Sequence, residues 1–290
     1  MRKRCQKKCC CRCCHKSCIS TNRRKPEGEF IAPIMSENEI PRIVNGDVVD
    51  YRNFPFFGIL YFNNSFTCGC SFIGGRMNAV ITAAHCVHRR NQKLFSVSFM
   101  QPGMSSPGLN YAVRRVIVHP RYNPKTIDYD IAILYLSSAP NPIVTPLAVP
   151  RINIGKVLTN PGTPVSVLGY GETYLARGGV KRDKDISELL RIANLSIISN
   201  APSIYNKWSP NLLKNRMILA TNEVDINNPD DNKDSCRGDS GGPLIGNFNG
   251  TRYLVGLVSW GMSRCGTSGY PGVYTNVSSV RDFISKTAGI

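Results

Sequence analysis

A chain of 290 residues in which 42% of side chains are hydrophobic is long enough to bury a substantial core. It contains no run of 18 apolar residues, so no segment reads as a membrane-spanning helix. The formal charge of +17 is unevenly spread: residues 1–42 hold 11 basic and 4 acidic side chains, which leaves +10 for the rest.

Residues 1–42 differ in kind from the remainder of the chain. Cys5, Cys9, Cys10, Cys11, Cys13, Cys14 and Cys18, seven of the twelve cysteines, are packed among Arg and Lys. No apolar core succeeds the basic start, so the stretch does not read as a secretory signal peptide. Clustered thiolates suit soft metals, and cysteines beside a polybasic patch suit S-acylation at a membrane. A truncated or misread start, with the signal lying upstream, is a further reading. The spacing matches no zinc pattern. The expectation is an unstructured extension without chemistry in the mature protein.

Beyond it the chain breaks into short apolar runs punctuated by Gly, Pro and Asn, as in an all-β protein. Asp47–Asp50 and Phe54–Phe62 read as the first strands, with turns at Asn63-Asn64 and Gly74-Gly75. Residues 94–99, 111–118 and 131–136 continue the set, and the Pro-rich Ala139–Pro150 reads as a crossing to a second set that opens at Val165–Leu168. Lys181–Asp185 reads as a solvated loop. Ser278–Thr287 places Val280, Phe283 and Ile284 on one helical face.

Three stretches carry chemistry. Ala79-Val80-Ile81 runs into Thr82-Ala83-Ala84-His85-Cys86, and Asp128-Tyr129-Asp130 runs into the apolar Ile131–Leu134. The third is Asp234-Ser235-Cys236-Arg237-Gly238-Asp239-Ser240-Gly241-Gly242-Pro243. A serine is a poor nucleophile unless a base takes its proton and donors stabilise the oxyanion it creates. Gly238 permits a tight turn that aims successive N–H groups, those of Gly238 and Ser240, into one small hole. His85 is then the base, and Asp130 the acid that fixes its tautomer.

Together the three stretches resemble the motifs of the trypsin-like (chymotrypsin-fold) serine peptidases, in the chain order His, Asp, Ser expected for that fold. The resemblance covers 43–290. It implies two packed six-stranded Greek-key β-barrels (about 43–145 and 155–276) and a C-terminal helix at about 278–287. Gly169-Tyr170-Gly171 resembles the family's Gly-Trp-Gly with Tyr in the aromatic place. Arg42-Ile43-Val44-Asn45-Gly46 resembles its activation site. Cleavage after Arg42 would free the Ile43 amine to pair with Asp239, and such a buried pair switches a site because each charge is expensive to bury singly.

The resemblance also implies a substrate. Asp234, six residues before Ser240, matches the acid at the floor of the specificity pocket in trypsin-like members. Ser235, Ser259, Trp260 and Gly261 match its lining, and Pro271-Gly272-Val273-Tyr274 its far wall. Gly261 and Gly272 leave the slot open for Arg or Lys, which Asp234 would pair with. Arg237, at the rim, should disfavour positively charged neighbours of the scissile bond. The partners implied are protein substrates and serpins or standard-mechanism inhibitors; no nucleic acid is expected, and neither cofactor nor metal. The family's calcium loop is acidic, and no Asp or Glu lies between His85 and Asp128. His88 and His119 read as structural or solvated.

Five cysteines lie beyond residue 42: Cys68, Cys70, Cys86, Cys236 and Cys265. The family pattern implies a Cys236–Cys265 bridge and one from Cys86 to the 68–70 strand. Motif alignment favours Cys68 and raw spacing favours Cys70, leaving the other as an unpaired or intermolecular thiol. A third bridge common in the family is missing, since Leu219 stands at one of its positions. Two bridges imply an oxidising compartment, hence an extracellular, secreted protein, and sequons at Asn63, Asn194, Asn249 and Asn276 agree mildly.

Two other readings compete: a catalytically dead relative acting as a binding or adaptor protein, and a surface-associated binder whose Cys-rich extension is the functional part. A charge feature stands apart from both. From Tyr51 to Ile127 there is no acid, while Arg52, Arg76, Arg89, Arg90, Lys93, Arg114, Arg115, Arg121 and Lys125 supply nine cations. Such a face aids solubility, or binds a polyanion or an acidic substrate.

Overall fold

The computed structural model describes residues 46–171, 187–203, 206–222 and 232–290. The extension, Arg42, Ile43 and the Lys181–Asp185 loop lie outside them.

After a short strand β1 (Asp47–Val48), six strands close the first barrel: β2 (Phe57–Phe62), β3 (Ser65–Gly74), β4 (Ala79–Thr82), β5 (Phe95–Phe99), β6 (Leu109–Val118) and β7 (Ala132–Leu136). Their order around it is β2-β3-β4-β7-β6-β5, all antiparallel where paired. Every residue of β4 and β7 is buried, and both are apolar runs apart from Thr82, whereas β6 mixes exposed and buried positions. Asn63 and Asn64 both take positive φ, 49° and 61°, the conformation a two-residue hairpin loop demands.

The second barrel contains β8 (Pro164–Gly169), β9 (Arg191–Ile198), β10 (Met217–Thr221), β11 (Pro243–Phe248), β12 (Thr251–Trp260) and β13 (Gly272–Asn276). They run β9-β10-β13-β12-β11-β8, and a β8–β9 pairing closes the ring. The β11–β12 hairpin turns on Asn249-Gly250, both at positive φ; read only as a sequon, that dipeptide is also a strong hairpin signal.

Two assignments change. Asp47–Asp50 was expected in the first barrel, yet β1 pairs with β9 of the second (Asp47 opposite Ile192, Val48 opposite Arg191). Both β1 side chains are exposed, so no burial pattern marked a barrel, and the backbone ladder decides. The C-terminal helix begins late: a 3-10 turn spans Val277–Val280 and the α-helix proper is Arg281–Ala288, closed by Gly289 at φ 71°. A helix at Ile152–Leu158 went unread because Gly155 sits in its middle, a poor helix former. A Cβ there would come within 1.7 Å of Ser278 Oγ, so only glycine fits.

Each barrel has its own interior. Leu60, Phe72, Val80, Phe99 and Leu134 fill the first, and Val167, Leu195, Leu244 and Tyr274 the second. Truncating one such leucine to Ala would cost about 2–5 kcal/mol. Cys70 lies in the first core, wholly buried, where burial pushes its thiol far up; an intermolecular bridge is sterically closed to it. A third cluster, including Ile81, Ile133, Leu168, Leu257 and Ile284, seals the seam between the barrels. The seam is tight. The Gly69 N–H of β3 donates to the Ser240 carbonyl at 2.8 Å, and a Cβ on Gly69 would lie 2.9 Å from Gly242 Cα. This close approach brings the loop that carries Ser240 against the barrel that carries His85.

Candidate active site

His85 sits on a single helical turn, Ala84–Val87, directly after β4. A Cys68–Cys86 disulfide (Cα–Cα 6.3 Å) ties that turn to β3. By chain entropy, closing a loop of this length contributes about 3 kcal/mol. Raw spacing points to Cys70 instead; both cysteines lie on the same buried face of β3, but it is Cys68 that meets Cys86, and Cys70 stays a free thiol in the core.

Asp130 is fully buried at the mouth of β7 and is densely bonded. Its Oδ1 accepts the His85 backbone N–H at 2.9 Å, and its Oδ2 lies 2.7 Å from His85 Nδ1. The Ser259 hydroxyl donates to Oδ2 at 2.6 Å, and the Thr275 hydroxyl to the Asp130 carbonyl at 2.9 Å. A carboxylate opposite Nδ1 makes that nitrogen the donor and leaves the lone pair on Nε2. Nε2 is buried and has no hydrogen-bond partner among the described residues. It is a ring nitrogen free to accept a proton, with no donor in place.

Ser240 lies in a tight turn built by the glycines around it. Gly238 and Gly241 take φ of 83° and 74°, which side chains resist. Gly242 N–H donates to the Asp239 carbonyl at 2.7 Å and Gly241 N–H to that of Val258 at 2.8 Å. Neither the Gly238 nor the Ser240 N–H has a backbone acceptor among the described residues.

Asp239 is fully buried. One carboxylate oxygen accepts the Gly171 N–H and the other the Cys236 N–H, both at 2.9 Å. A Cβ on Gly169 would sit 1.9 Å from Asp239 Oδ1, which explains the first glycine of Gly169-Tyr170-Gly171.

Asp234 is buried at the side of a solvent-open cleft of about 370 Å³ lined by Asn232, Lys233, Gly266, Tyr270 and Pro271, among others. Its Oδ2 accepts the Gly266 N–H at 3.0 Å, whereas Oδ1 receives no well-formed hydrogen bond from the described residues. Burial pushes this carboxyl up to about 7, against the pull of nearby backbone N–H groups. A Cβ at Gly272 would lie 2.8 Å from Oδ1 and at Gly261 would meet nothing within 4 Å. Ser235 Oγ lies 3.1 Å from the Tyr274 hydroxyl, and Trp260 packs edge-on against Trp208. A Cys236–Cys265 disulfide braces the loops around Asp234. Gly272 thus lies directly against the buried Asp234 carboxyl, while Ser235, Ser259, Trp260, Gly261 and Gly272, the expected lining, do not border that cleft.

Of the pocket residues expected from sequence, Ser259 does something else with its side chain, which reaches Asp130. Ser259, Thr275 and Gly69 were missed as parts of the His85–Asp130–Ser240 region, because each acts over a long sequence separation. Cys68, His85 and Cys86 cluster closely enough to suggest a metal site, but the two sulfurs are bonded to each other and offer no thiolate.

On the first barrel, Arg52 is paired with Asp50 at 2.6 Å. A β-bulge between Val113 and Arg115 leaves the adjacent Arg114 and Arg115 both exposed. Gln92 Oε1 accepts the Val116 N–H at 3.2 Å, drawing the turn that holds Lys93 against the same strand. Arg90 lies over the Phe62 ring at 5.2 Å. The bulge and that turn gather part of the basic stretch on one side of the barrel.

Comparison with known proteins returns one family model, described as Trypsin, matching residues 43–284. The chain is 31% identical to human Transmembrane protease serine 11A over 271 residues, 91% of this chain but 58% of that protein. It is 33% identical to Trypsin 5G1 of Aedes aegypti over 252 residues, 86% of each chain. To human Kallikrein-14 it is 32% identical over 261 residues, 89% of this chain and 88% of that one. The chain thus spans little more than half of the first relative and most of the other two. Among the described residues no helix is long and apolar enough to cross a membrane.

Proposed function

Since the chain belongs to the trypsin family and is a serine endopeptidase, we propose that it hydrolyses peptide bonds after Arg or Lys with His85, Asp130 and Ser240 as its triad. Ser240 Oγ attacks the scissile carbonyl while its proton passes to His85 Nε2. The oxyanion of the tetrahedral intermediate falls to the Gly238 and Ser240 N–H groups, a contribution worth about 3–4 kcal/mol per donor. Collapse breaks the C–N bond, His85 returns the proton to the leaving amine, and an acyl-enzyme remains on Ser240. Water, deprotonated by His85, then releases the acid. Asp130 stays ionised throughout, orienting the imidazole and stabilising its charged form.

The observation that carries the substrate class is Asp234: a buried carboxylate with one oxygen unsatisfied beside a wall kept clear by Gly272. A guanidinium or ammonium of the substrate supplies the missing donors. We further infer activation by cleavage at Arg42–Ile43, the new amine pairing with Asp239. The two disulfides fit an oxidising compartment, and secretion is the corresponding proposal. A positional-scanning peptide library on the cleaved protein tests the specificity, and a fluorophosphonate probe separates an enzyme from a dead homologue.

The basic first barrel supports a second partner reading, a polyanion such as a sulfated glycan or an acidic protein substrate. Residues 51–127 hold no carboxylate, and the bulge turns two adjacent arginines outward.

A further inference from the structure

The segment leading into Asp130 is held in a backbone shape its residues resist. Ile127 and Tyr129 both take left-handed φ, 52° and 56°, and neither is glycine. A β-branched residue there is a true outlier, and such conformations persist only where surrounding structure over-determines them. Asp128 lies between the two.

We propose that Arg216, from the second barrel, is a positioning residue: it clamps Asp128-Tyr129 and so holds the Asp130 carboxylate on His85. This rests on the serine-peptidase reading. Arg216 Nε donates to Asp128 Oδ1 at 2.9 Å and Nη2 to Oδ2 at 2.7 Å, a two-pronged contact that fixes direction as well as distance. The same guanidinium lies over the Tyr129 ring, 4.4 Å from its centroid. His119 stacks on that ring at 4.4 Å and 13°, and Arg121 Nη1 donates to its hydroxyl at 3.0 Å. Asp128 Oδ1 also accepts the Tyr129 N–H at 3.0 Å, so the clamp reaches the backbone of the strained turn itself.

The clamp is anchored on the far side. The Arg216 carbonyl accepts the Asn276 N–H at 2.8 Å, and the preceding residue, Thr275, donates its hydroxyl to the Asp130 carbonyl. Arg216 and Thr275 therefore grip consecutive parts of the 128–130 segment from one edge of the second barrel. The Arg216 and Asp128 side chains are only 27% and 16% exposed, so water screens their attraction less than at an open surface. Asp128 in turn raises the Arg216 pKa, chiefly by their hydrogen bond. If the segment relaxes, Asp130 moves relative to His85 while the pocket around Asp234 stays as it is.

The test uses full-length Arg216→Lys, which keeps the charge but loses the fork, with Arg216→Gln and Asp128→Asn/Arg216→Gln beside it. On the cleaved protein, Arg216→Lys should lower kcat about 10- to 100-fold, with KM for a small Arg substrate unchanged within about twofold. The double variant should be no worse than Arg216→Gln alone, as expected of coupled partners. In uncleaved protein, the deshielded ¹H NMR resonance of His85 Nδ1–H should move upfield or broaden in Arg216→Lys. A perturbed resonance in a protein whose wild type cleaves no peptide would sustain the clamp and defeat the enzymatic reading. Unchanged kcat and an unchanged resonance in both single variants would overturn the clamp.

Discussion

The Ser259 hydroxyl donates to Asp130 Oδ2 at 2.6 Å, joining residues 129 positions apart across the seam between the barrels. With the two bonds from His85, it gives both oxygens of this buried carboxylate a partner and fixes its direction. Ser259 is thus part of what aims the imidazole, in addition to any contact its backbone makes with substrate. Removing a hydrogen bond to a charged group costs about 1.5–3 kcal/mol, so Ser259→Ala should lower kcat roughly 10- to 100-fold. KM for a small substrate should barely move. Steady-state kinetics with a single Arg peptide checks this, and an unchanged kcat would show the contact to be idle.

Asp234 should make cation binding depend on pH. Its folded pKa of about 7 lies above the ordinary value of 3.8 because of burial. A carboxyl raised in this way favours the fold below the unfolded pKa, and that contribution is lost as pH rises through about 7. A bound amidinium reverses the sign by favouring the ionised form. The affinity of benzamidine, measured calorimetrically, should therefore weaken about tenfold per pH unit below 7. In Asp234→Asn binding should be weak and flat with pH, and the ligand-free protein should melt higher at pH 8 than wild type. The same steep pH dependence in Asp234→Asn would place the titrating group elsewhere.

The proposed activation makes Asp239 the partner of the new amine. Its carboxylate already holds the Gly171 and Cys236 N–H groups, so a new ammonium arriving beside it would act on the turn that carries Gly238 and Ser240. Arg42→Gln protein, incubated with trypsin, should stay uncleaved at that bond and at least about 100-fold less active than cleaved wild type. Full activity in the uncleavable protein would remove the zymogen claim.

The basic face makes a differential claim. Cleavage of an acidic protein substrate should fall steeply between low and physiological salt, while a small neutral-flanked peptide responds much less. Arg114→Ala/Arg115→Ala should flatten the first curve and leave the second unchanged. Equal salt dependence for both substrates, with no retention on heparin at physiological salt, would reduce the face to an aid to solubility.

Much of this was legible because the chemistry is local. His85, Asp130 and Ser240 each sit in a run of neighbours that resembles one family, and the apolar runs of β4 and β7 read as buried strands. Ser259, Thr275 and Arg216 were not legible, since a lone serine, threonine or arginine says nothing until the fold carries it to a partner far along the chain. β1 was misassigned for a related reason: two exposed residues leave no pattern, and only the backbone ladder decides. Gly155 hid a helix because the contact that demands glycine comes from Ser278.

The most direct test of the central claim is a positional-scanning peptide library run with Arg42-cleaved wild type and with Ser240→Ala. Cleavage should be confined to bonds after Arg and Lys, and Ser240→Ala should abolish it by a factor on the order of 10⁶. Activity of Ser240→Ala within about tenfold of wild type, or cleavage indifferent to the residue before the scissile bond, would contradict the account.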